Sequence, residues 1–256
     1  MSTPARTLAL FISDLHLQES HPRTLDAFFR FLEDHGRHTR QLYLLGDIFE
    51  YWAGDDDLDS PFHARIVAAL RTLADGGVAL FWMAGNRDFL VGRGFADAAG
   101  LTPLQEPYVA EIGGQRIALV HGDAECTLDT RYMEFRAMVR QPAWQAQFLA
   151  MPLAQRKAII AGLRDGSREA HTTKSYEIMD VTPDAVEAVF EATGAAVLIH
   201  GHTHRPAVHR HGARLRYVLP DWELDAEPRR GGWIAIDEEG KLVRCGLDGQ
   251  ALATPA

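Results

Sequence analysis

Five short segments of this chain carry side chains able to hold a metal ion: Asp14-Leu15-His16, Gly46-Asp47-Ile48-Phe49-Glu50, Gly85-Asn86-Arg87-Asp88, His121-Gly122-Asp123 and Gly201-His202-Thr203-His204. Hard oxygen donors mixed with imidazoles suit manganese, iron or zinc better than magnesium, which prefers an oxygen shell. A carboxylate such as Asp47 has two oxygens and can bridge two ions, which two-metal hydrolases hold ~3.5–4 Å apart. Such a pair would lower the pKa of a water, orient it in line with a leaving group and neutralise phosphoryl oxygens. That is phosphoryl-transfer chemistry without a covalent protein nucleophile. Taken singly, each segment is weak, since an Asp-x-His or a Gly-Asp after a strand commonly makes a turn or a helix cap. Their occurrence together, each closing an apolar run, is what points to a metal centre.

The runs that position them alternate in type. Thr7 to Ile12 reads as a buried strand, and Pro22 to His35 as a helix with Leu25, Phe28, Phe29 and Leu32 on its apolar side. Gln41 to Leu45 and Val78 to Met83 read as strands on either side of a helix at Pro61 to Ala74. This alternation indicates a largely parallel sheet with helices on its faces, and ligands of such sheets bind beyond the carboxyl ends of the strands. After Gly100 strand follows strand: Tyr108 to Ile112, a Gly113-Gly114 turn and Arg116 to Val120 predict a hairpin. Further β-like runs at Ala196 to Ile199, Leu215 to Leu219, Gly232 to Ile236 and Leu242 to Cys245 predict a second set of strands. The expected fold is therefore an α/β sandwich of two mixed sheets flanked by helices, in a single domain spanning 1–256.

Between the β regions, Arg131 to Lys174 has helical apolar spacing and looks inserted. It holds eight Lys or Arg against three acids, a net of +5 in a chain of net charge -9. The overall acidity excludes a general nucleic-acid binder, although metal ions can still supply positive charge to an anionic substrate. Two distant cysteines, Cys126 and Cys245, give no disulfide framework and suggest a reducing compartment. The apolar run Leu8 to Ile12 is too short for a signal-peptide core, and no segment approaches the ~20 apolar residues of a membrane span. These features predict a cytoplasmic protein.

The motifs resemble those of the calcineurin-like metallophosphoesterases over most of the chain. Within that superfamily the details are similar to the UDP-2,3-diacylglucosamine pyrophosphatase family of lipid A biosynthesis. The similarity runs through Phe11 to Leu17, Gly85 to Leu90 and His200 to His209, and continues through the inserted stretch at Cys126-Thr127, Ser167 to Ala170, Lys174-Ser175 and Ile178 to Val181. The resemblance implies two Mn²⁺ ions per chain, one among Asp14, His16, Asp47 and His204, the other among Asp47, Asn86, His121 and His202. It also implies substrate contacts from Asn86, Arg87, Asp129, Ser167, His171, Lys174 and His202, with Asn86, Arg87 and His202 stabilising the pentavalent state. Two positions depart from the family pattern: His171 stands where Asn is familiar, and Leu128 where an acid often precedes Asp129.

Arg87 has an independent chemical reading. Many phosphoesterases of the superfamily carry His after the Asn, where it can protonate an alcohol leaving group, and Arg is protonated at every working pH. A pyrophosphate needs that acid less, because its leaving group is a phosphate monoester with second pKa roughly 6. Arg87 instead suits a paired grip on phosphate oxygens. The basic, amphipathic insertion, at about 127–175, fits a helical lid that meets acyl chains or an anionic membrane surface. All seven candidate ligands lie outside Arg131 to Lys174, which predicts a metal site that assembles without the lid. The activity that the resemblance implies is hydrolysis of UDP-2,3-diacylglucosamine to UMP and 2,3-diacylglucosamine 1-phosphate, expected at the cytoplasmic face of the inner membrane. The rivals are another metallophosphoesterase activity and a non-catalytic scaffold of the same fold.

Overall fold

The computed structural model describes residues 7–173 and 178–252, with the backbone alone described for 164–173. The first strand, β1 (Thr7–Ile12), is apolar on both faces: Ala9 and Phe11 point one way, Leu10 and Ile12 the other, and all four are buried. It pairs in parallel with β2 (Thr39–Leu45), followed by β3 (Ala79–Met83) and the short β4 (Leu101–Pro103). On its other side β10 (Gly232–Ile236) runs antiparallel and carries β11 (Leu242–Gly246) at the edge. The result is a six-stranded mixed sheet of order β11-β10-β1-β2-β3-β4.

The second sheet has five strands in the order β5-β6-β7-β9-β8. The hairpin β5 (Tyr108–Ile112) and β6 (Gln115–Leu119) leads into β7 (Val197–His200), then β9 (Arg214–Val218), parallel to one another from β6 to β9. The edge strand β8 (Val208–His211) is antiparallel to β9. Its residues are half-exposed or exposed, so its apolar pattern is weak and it does not stand out in the sequence.

The inner faces of the two sheets meet through Ala9, Phe11, Tyr43, Leu45 and Met83 of one and Ile117, Leu119, Val197, Ile199 and Tyr217 of the other. Helices cover the outer faces. On the six-stranded sheet these are α1 (Pro22–Asp34), α2 (Pro61–Asp75) and α3 (Arg93–Ala99), packed on Leu10, Ile12, Leu42, Leu44 and Leu80. Pro occupies the first turn of α1 and α2, where the missing N–H costs nothing, and Ser60 Oγ caps α2 by accepting from His63 N–H. The expected sandwich of two mixed sheets is the one found. Among the described residues no helix is long and apolar enough to cross a membrane.

The insertion forms α4 (Thr130–Val139), α5 (Pro142–Leu149) and α6 (Leu153–Thr173). Val139 and Phe148 are buried, and Trp144, Met151 and Ile160 pack against the core beneath α1 to α3. The outward residues include Leu128, Met138, Leu149, Ile159 and Leu163. These five are all but one of the large apolar side chains that the described residues expose.

On the far side, α7 (Pro183–Thr193) covers the five-stranded sheet, seating Val186, Val189 and Phe190 on Ala118, Val120 and Leu198. Because Phe190 is a fully buried anchor of this cover, Phe190→Ala should cost ~3–5 kcal/mol, the range for emptying a buried aromatic site. A shift of less than 1 kcal/mol in urea unfolding would show that the face is not sealed by Phe190.

Candidate metal centre

Six strands deliver this site from their carboxyl ends. Asp14 and His16 follow β1, Asp47 follows β2, Asn86 follows β3, His121 follows β6, His202 and His204 follow β7, and Asp221 follows β9. Backbone pairing continues past the strands: Asp14 N–H donates to Gly46 O at 3.1 Å, His16 N–H to Asp47 O at 3.0 Å and Gly201 N–H to His121 O at 2.9 Å. The chain turns sharply at these points. Asp14, His16, Asp47, His202 and His204 have φ between 46° and 64°, and among the described residues no other non-glycine residue has positive φ. That conformation is uncommon outside glycine, although Asp and His tolerate it better than most, and clusters of it mark functional sites.

Close approach explains two of the motif glycines. A Cβ on Gly85 would lie 2.1 Å from Asp47 Oδ1, and one on Gly201 2.2 Å from Asp14 Oδ2. Any side chain there would displace a carboxylate.

The seven candidate ligands converge as two groups joined by one carboxylate. In the first, His16 Nε2 is 3.3 Å from His204 Nε2, His204 Nε2 is 3.5 Å from Asp14 Oδ1, and His16 Nε2 is 4.0 Å from Asp47 Oδ2. In the second, Asn86 Oδ1 is 3.0 Å from His121 Nε2 and 2.8 Å from His202 Nδ1, and His121 Nε2 is 3.7 Å from Asp47 Oδ1. Asp47 thus turns one oxygen to each group. Asp14 Oδ1 is buried without a hydrogen-bond donor, which is the state of an oxygen waiting for a cation. The ligand-capable atoms of Asp14, His16 and His204, and those of Asp14, Asp47 and His121, each lie within 4.8 Å of one another. This donor set fits divalent cations.

Outer partners fix these side chains. Glu50 Oε2 stands 3.0 Å from His16 Nδ1, and Leu45 O accepts from His121 Nδ1–H at 2.8 Å, so each ring, once it gives up its second proton, offers Nε2 to the centre. Asp14 Oδ2 accepts from Ser13 Oγ–H and from His202 N–H at 2.9 Å. Asp88 is fully buried and its carboxylate accepts from Gly85 N–H, Ile48 N–H and Asp47 N–H at 2.8, 2.8 and 3.3 Å, tying the β2 and β3 loops together. Asp221 faces His204 Nδ1 at 3.6 Å. Asp221 follows the same rule as the others, an acid just past a strand end, but Pro220-Asp221-Trp222 has neither a glycine nor a histidine beside it to mark it as a ligand segment.

The electrostatics are those of a site built for positive charge. Burial opposes ionisation of Asp14, but His204, His121 and His16 hold its carboxyl well below the usual range. Burial likewise disfavours a cationic His121, yet Asp47, Asp14, Asp123 and Glu106 raise it to about 9. Burial and the His121 charge push His202 down to about 3. A divalent ion would take over the role that the His121 proton plays in this field. Behind the centre lies a buried acid group. Asp123 is held low against burial by His121 and Arg136, while burial, Glu106 and Asp123 push Glu125 up to about 8.

Of the expected substrate contacts, Asn86 and His202 sit within the centre. Arg87 is half-buried beside it, and its N–H donates to Asp47 Oδ1 at 2.8 Å. Asp129 caps α4, accepting from Tyr132 N–H at 3.2 Å. The side chains of Ser167, His171 and Lys174 lie outside the described residues. A separate grouping of His21, Glu223 and Asp225 has a structural account: Asp225 accepts from the first N–H groups of α1, and Glu223 from Asp225 and Ala226 N–H.

Four of the insertion's eight basic residues pair inward: Arg136 and Arg140 with Asp123, Arg156 with Asp56 and Lys157 with Asp57. Arg156 is 2% exposed and also donates to Ala53 O and Met151 O. Helical spacing cannot tell such an arginine from a solvated one.

The family model for calcineurin-like phosphoesterases matches residues 8–206. The UDP-2,3-diacylglucosamine hydrolase of Chromohalobacter salexigens is 49% identical over 234 residues, covering 90% of this chain and 93% of its own. Those of Aromatoleum aromaticum and Cellvibrio japonicus are 50% and 51% identical, covering 85% and 83% of this chain and 90% of their own. Among solved structures, Vacuolar Protein Sorting 29 from Cryptosporidium parvum aligns with a TM-score of 0.50 at 14% identity, covering 97% of this chain and 95% of its own, a likeness of fold alone.

Glu125 yields a pH test. Its folded pKa, about 8, lies above the ordinary value of 4.5, so its contribution to stability is full below pH 4.5 and is lost as pH rises through 8. Between pH 6 and 7.5 that loss is about 1.4 kcal/mol per pH unit. Under chelator, Glu125→Gln should therefore gain on the parent by about this slope in urea unfolding. Parallel curves for the two proteins would show that Glu125 does not hold its proton in the fold.

Proposed function

The chain belongs to the calcineurin-like phosphoesterase family, and we propose that it hydrolyses the pyrophosphate bond of UDP-2,3-diacylglucosamine to UMP and 2,3-diacylglucosamine 1-phosphate. The carrying observation is the pair of ligand groups around Asp47 with Arg87, not His, beside Asn86, in a chain about half identical to hydrolases of that name. Family membership implies divalent metal binding. We assign two Mn²⁺ ions to the centre, one to Asp14, His16, Asp47 and His204 and one to Asp47, Asn86, His121 and His202. When bound, such ions lower the pKa of a water and offset phosphoryl charge.

The chain's own residues account for the rest of the reaction. Glu50, Leu45 O and Asp221 hold the imidazoles so that their lone pairs face the centre. Arg87 cannot donate a proton to a leaving group, but its guanidinium can hold phosphate oxygens in a bidentate grip. Water attack on the phosphorus nearer uridine expels a phosphate monoester that is stable as an anion near neutral pH, so no general acid is needed. Asn86 and His202 would donate, with Arg87, to oxygens that gain charge in the pentavalent state. Asp129, Ser167, His171 and Lys174 complete the proposed substrate contacts.

The exposed Leu128, Met138, Leu149, Ile159 and Leu163 support a lipid substrate, because each Å² of apolar area they bury against acyl chains contributes ~25 cal/mol. We therefore place the protein at the cytoplasmic face of the inner membrane, held peripherally through this apolar surface. The net charge of -9 counts against nucleic acid as a partner.

Purified protein with Mn²⁺ and UDP-2,3-diacylglucosamine should yield UMP and the lipid phosphate by mass spectrometry. In ¹⁸O-labelled water the label should enter UMP. Label in the lipid product instead would place attack on the other phosphorus, and no turnover with a metal-loaded protein would remove this substrate. Asp47→Ala should lose at least about a thousandfold in kcat, roughly 4 kcal/mol of barrier, and bind fewer than two ions per chain. Turnover within threefold of the parent with two ions retained would take Asp47 out of the bridge.

A further inference from the structure

The first helix of the insertion is fastened to the loops that carry the centre. Arg136 Nε donates to Asp123 Oδ2 at 2.8 Å and its Nη2 to Glu106 Oε2 at 3.1 Å. Glu106 Oε1 in turn accepts the backbone N–H of His121 at 2.5 Å, and Asp123 is two residues beyond that histidine. One turn further along α4, Arg140 Nη2 donates to Gly85 O at 2.9 Å, directly before Asn86, and lies 3.8 Å from Asp123 Oδ2. Its guanidinium also sits 5.7 Å over the Phe89 ring. Tyr132 Oη–H donates to the same Asp123 oxygen. Asp123 is fully buried, so these donors are its means of carrying charge inside the protein.

We propose that Arg136 and Arg140 are positioning residues for the His121 and Asn86 loops, so that the seating of α4 and the occupancy of the metal centre are thermodynamically linked. The inference rests on the reading of Asn86, His121 and His202 as ligands and goes beyond it: the insertion is part of the frame of the centre as well as a cover for lipid. Linkage is reciprocal, so a cation that draws the two loops together steadies α4, and a loosened α4 weakens the cation. Gly85 transmits the coupling well, because its backbone lies against Asp47 with no room for a side chain.

The test measures Mn²⁺ affinity by calorimetry together with hydrogen exchange of the amides of residues 130–139, in the full chain and without substrate. In the parent, Mn²⁺ should slow exchange in α4. Arg140→Ala should bind Mn²⁺ at least about tenfold more weakly, the usual cost of losing an outer-shell partner, and should lose the slowing. Arg131→Ala, an exposed position on the same helix, should behave as the parent. Should Arg140→Ala not fold, Arg136→Lys keeps a cation near Asp123 but cannot also fork to Glu106, and it should weaken Mn²⁺ in the same direction. If the parent binds Mn²⁺ while α4 exchange is indifferent to it, or both arginine variants bind as the parent does, the coupling is overturned and the metal assignment stands. If the parent takes up no divalent ion, the metal assignment falls and the coupling with it.

Discussion

The fold turns on one carboxylate, Asp47, whose two oxygens face two different groups of imidazoles and oxygens. Meeting that demand requires loops from both sheets to arrive within a few ångströms of one buried side chain. β1 to β3 bring three loops from one sheet, and β6 and β7 bring two from the other. The two sheets can present their strand ends together because their inner faces are closed by apolar contact from Ala9 to Tyr217. The left-handed backbone at five of the seven candidate ligands is the local cost, roughly 1–3 kcal/mol each. What offsets it is backbone pairing past the strand ends and the three N–H groups gathered by Asp88.

That cost explains why so much of the centre could be read from the sequence. A buried parallel strand is a near-continuous apolar run, so β1, β2, β3, β6 and β7 were visible, and a polar residue just past each run had to be pointing somewhere particular. Gly85 and Gly201 were informative because a Cβ at either would strike a carboxylate. Elements with weaker signatures were not read. β8 is mostly exposed, α3 is two turns long, and α7 resembles any amphipathic surface helix until the sheet it covers is known. The outer partners were quoted without a role: Glu50, Asp88 and Asp123 sit inside the motifs, but the atoms they touch are set by chain crossings that spacing does not encode.

The insertion shows the limit of counting charges. A net +5 over Arg131 to Lys174 suggests a basic face, yet Arg136, Arg140, Arg156 and Lys157 are matched with acids of the body of the protein. The local excess of cations in the insertion and part of the excess of acids elsewhere are two halves of the same set of contacts. Among the described side chains, what the helices present outward is largely apolar, as Met138 at 44% exposure and Leu163 at 52% illustrate. A surface of that kind is costly in water and suits a lipid better than a phosphate does.

The acidity of the whole chain then has a coherent reading. Asp14, Asp47, Asp88, Asp123 and Glu125 are all buried around the loops of the centre, where carboxylates are tolerated only with cations or backbone donors to face them. Asp123 has arginines, Asp88 has N–H groups, and Glu125 keeps its proton. Asp14 and Asp47 are left with imidazoles that cannot all be charged together, since the charge on His121 depresses His202. Divalent cations are a better answer to that field than protons on the imidazoles. Once cations are seated, the sign of the site inverts, and the anionic substrate proposed for it would meet positive charge where the bare sequence shows mainly acids.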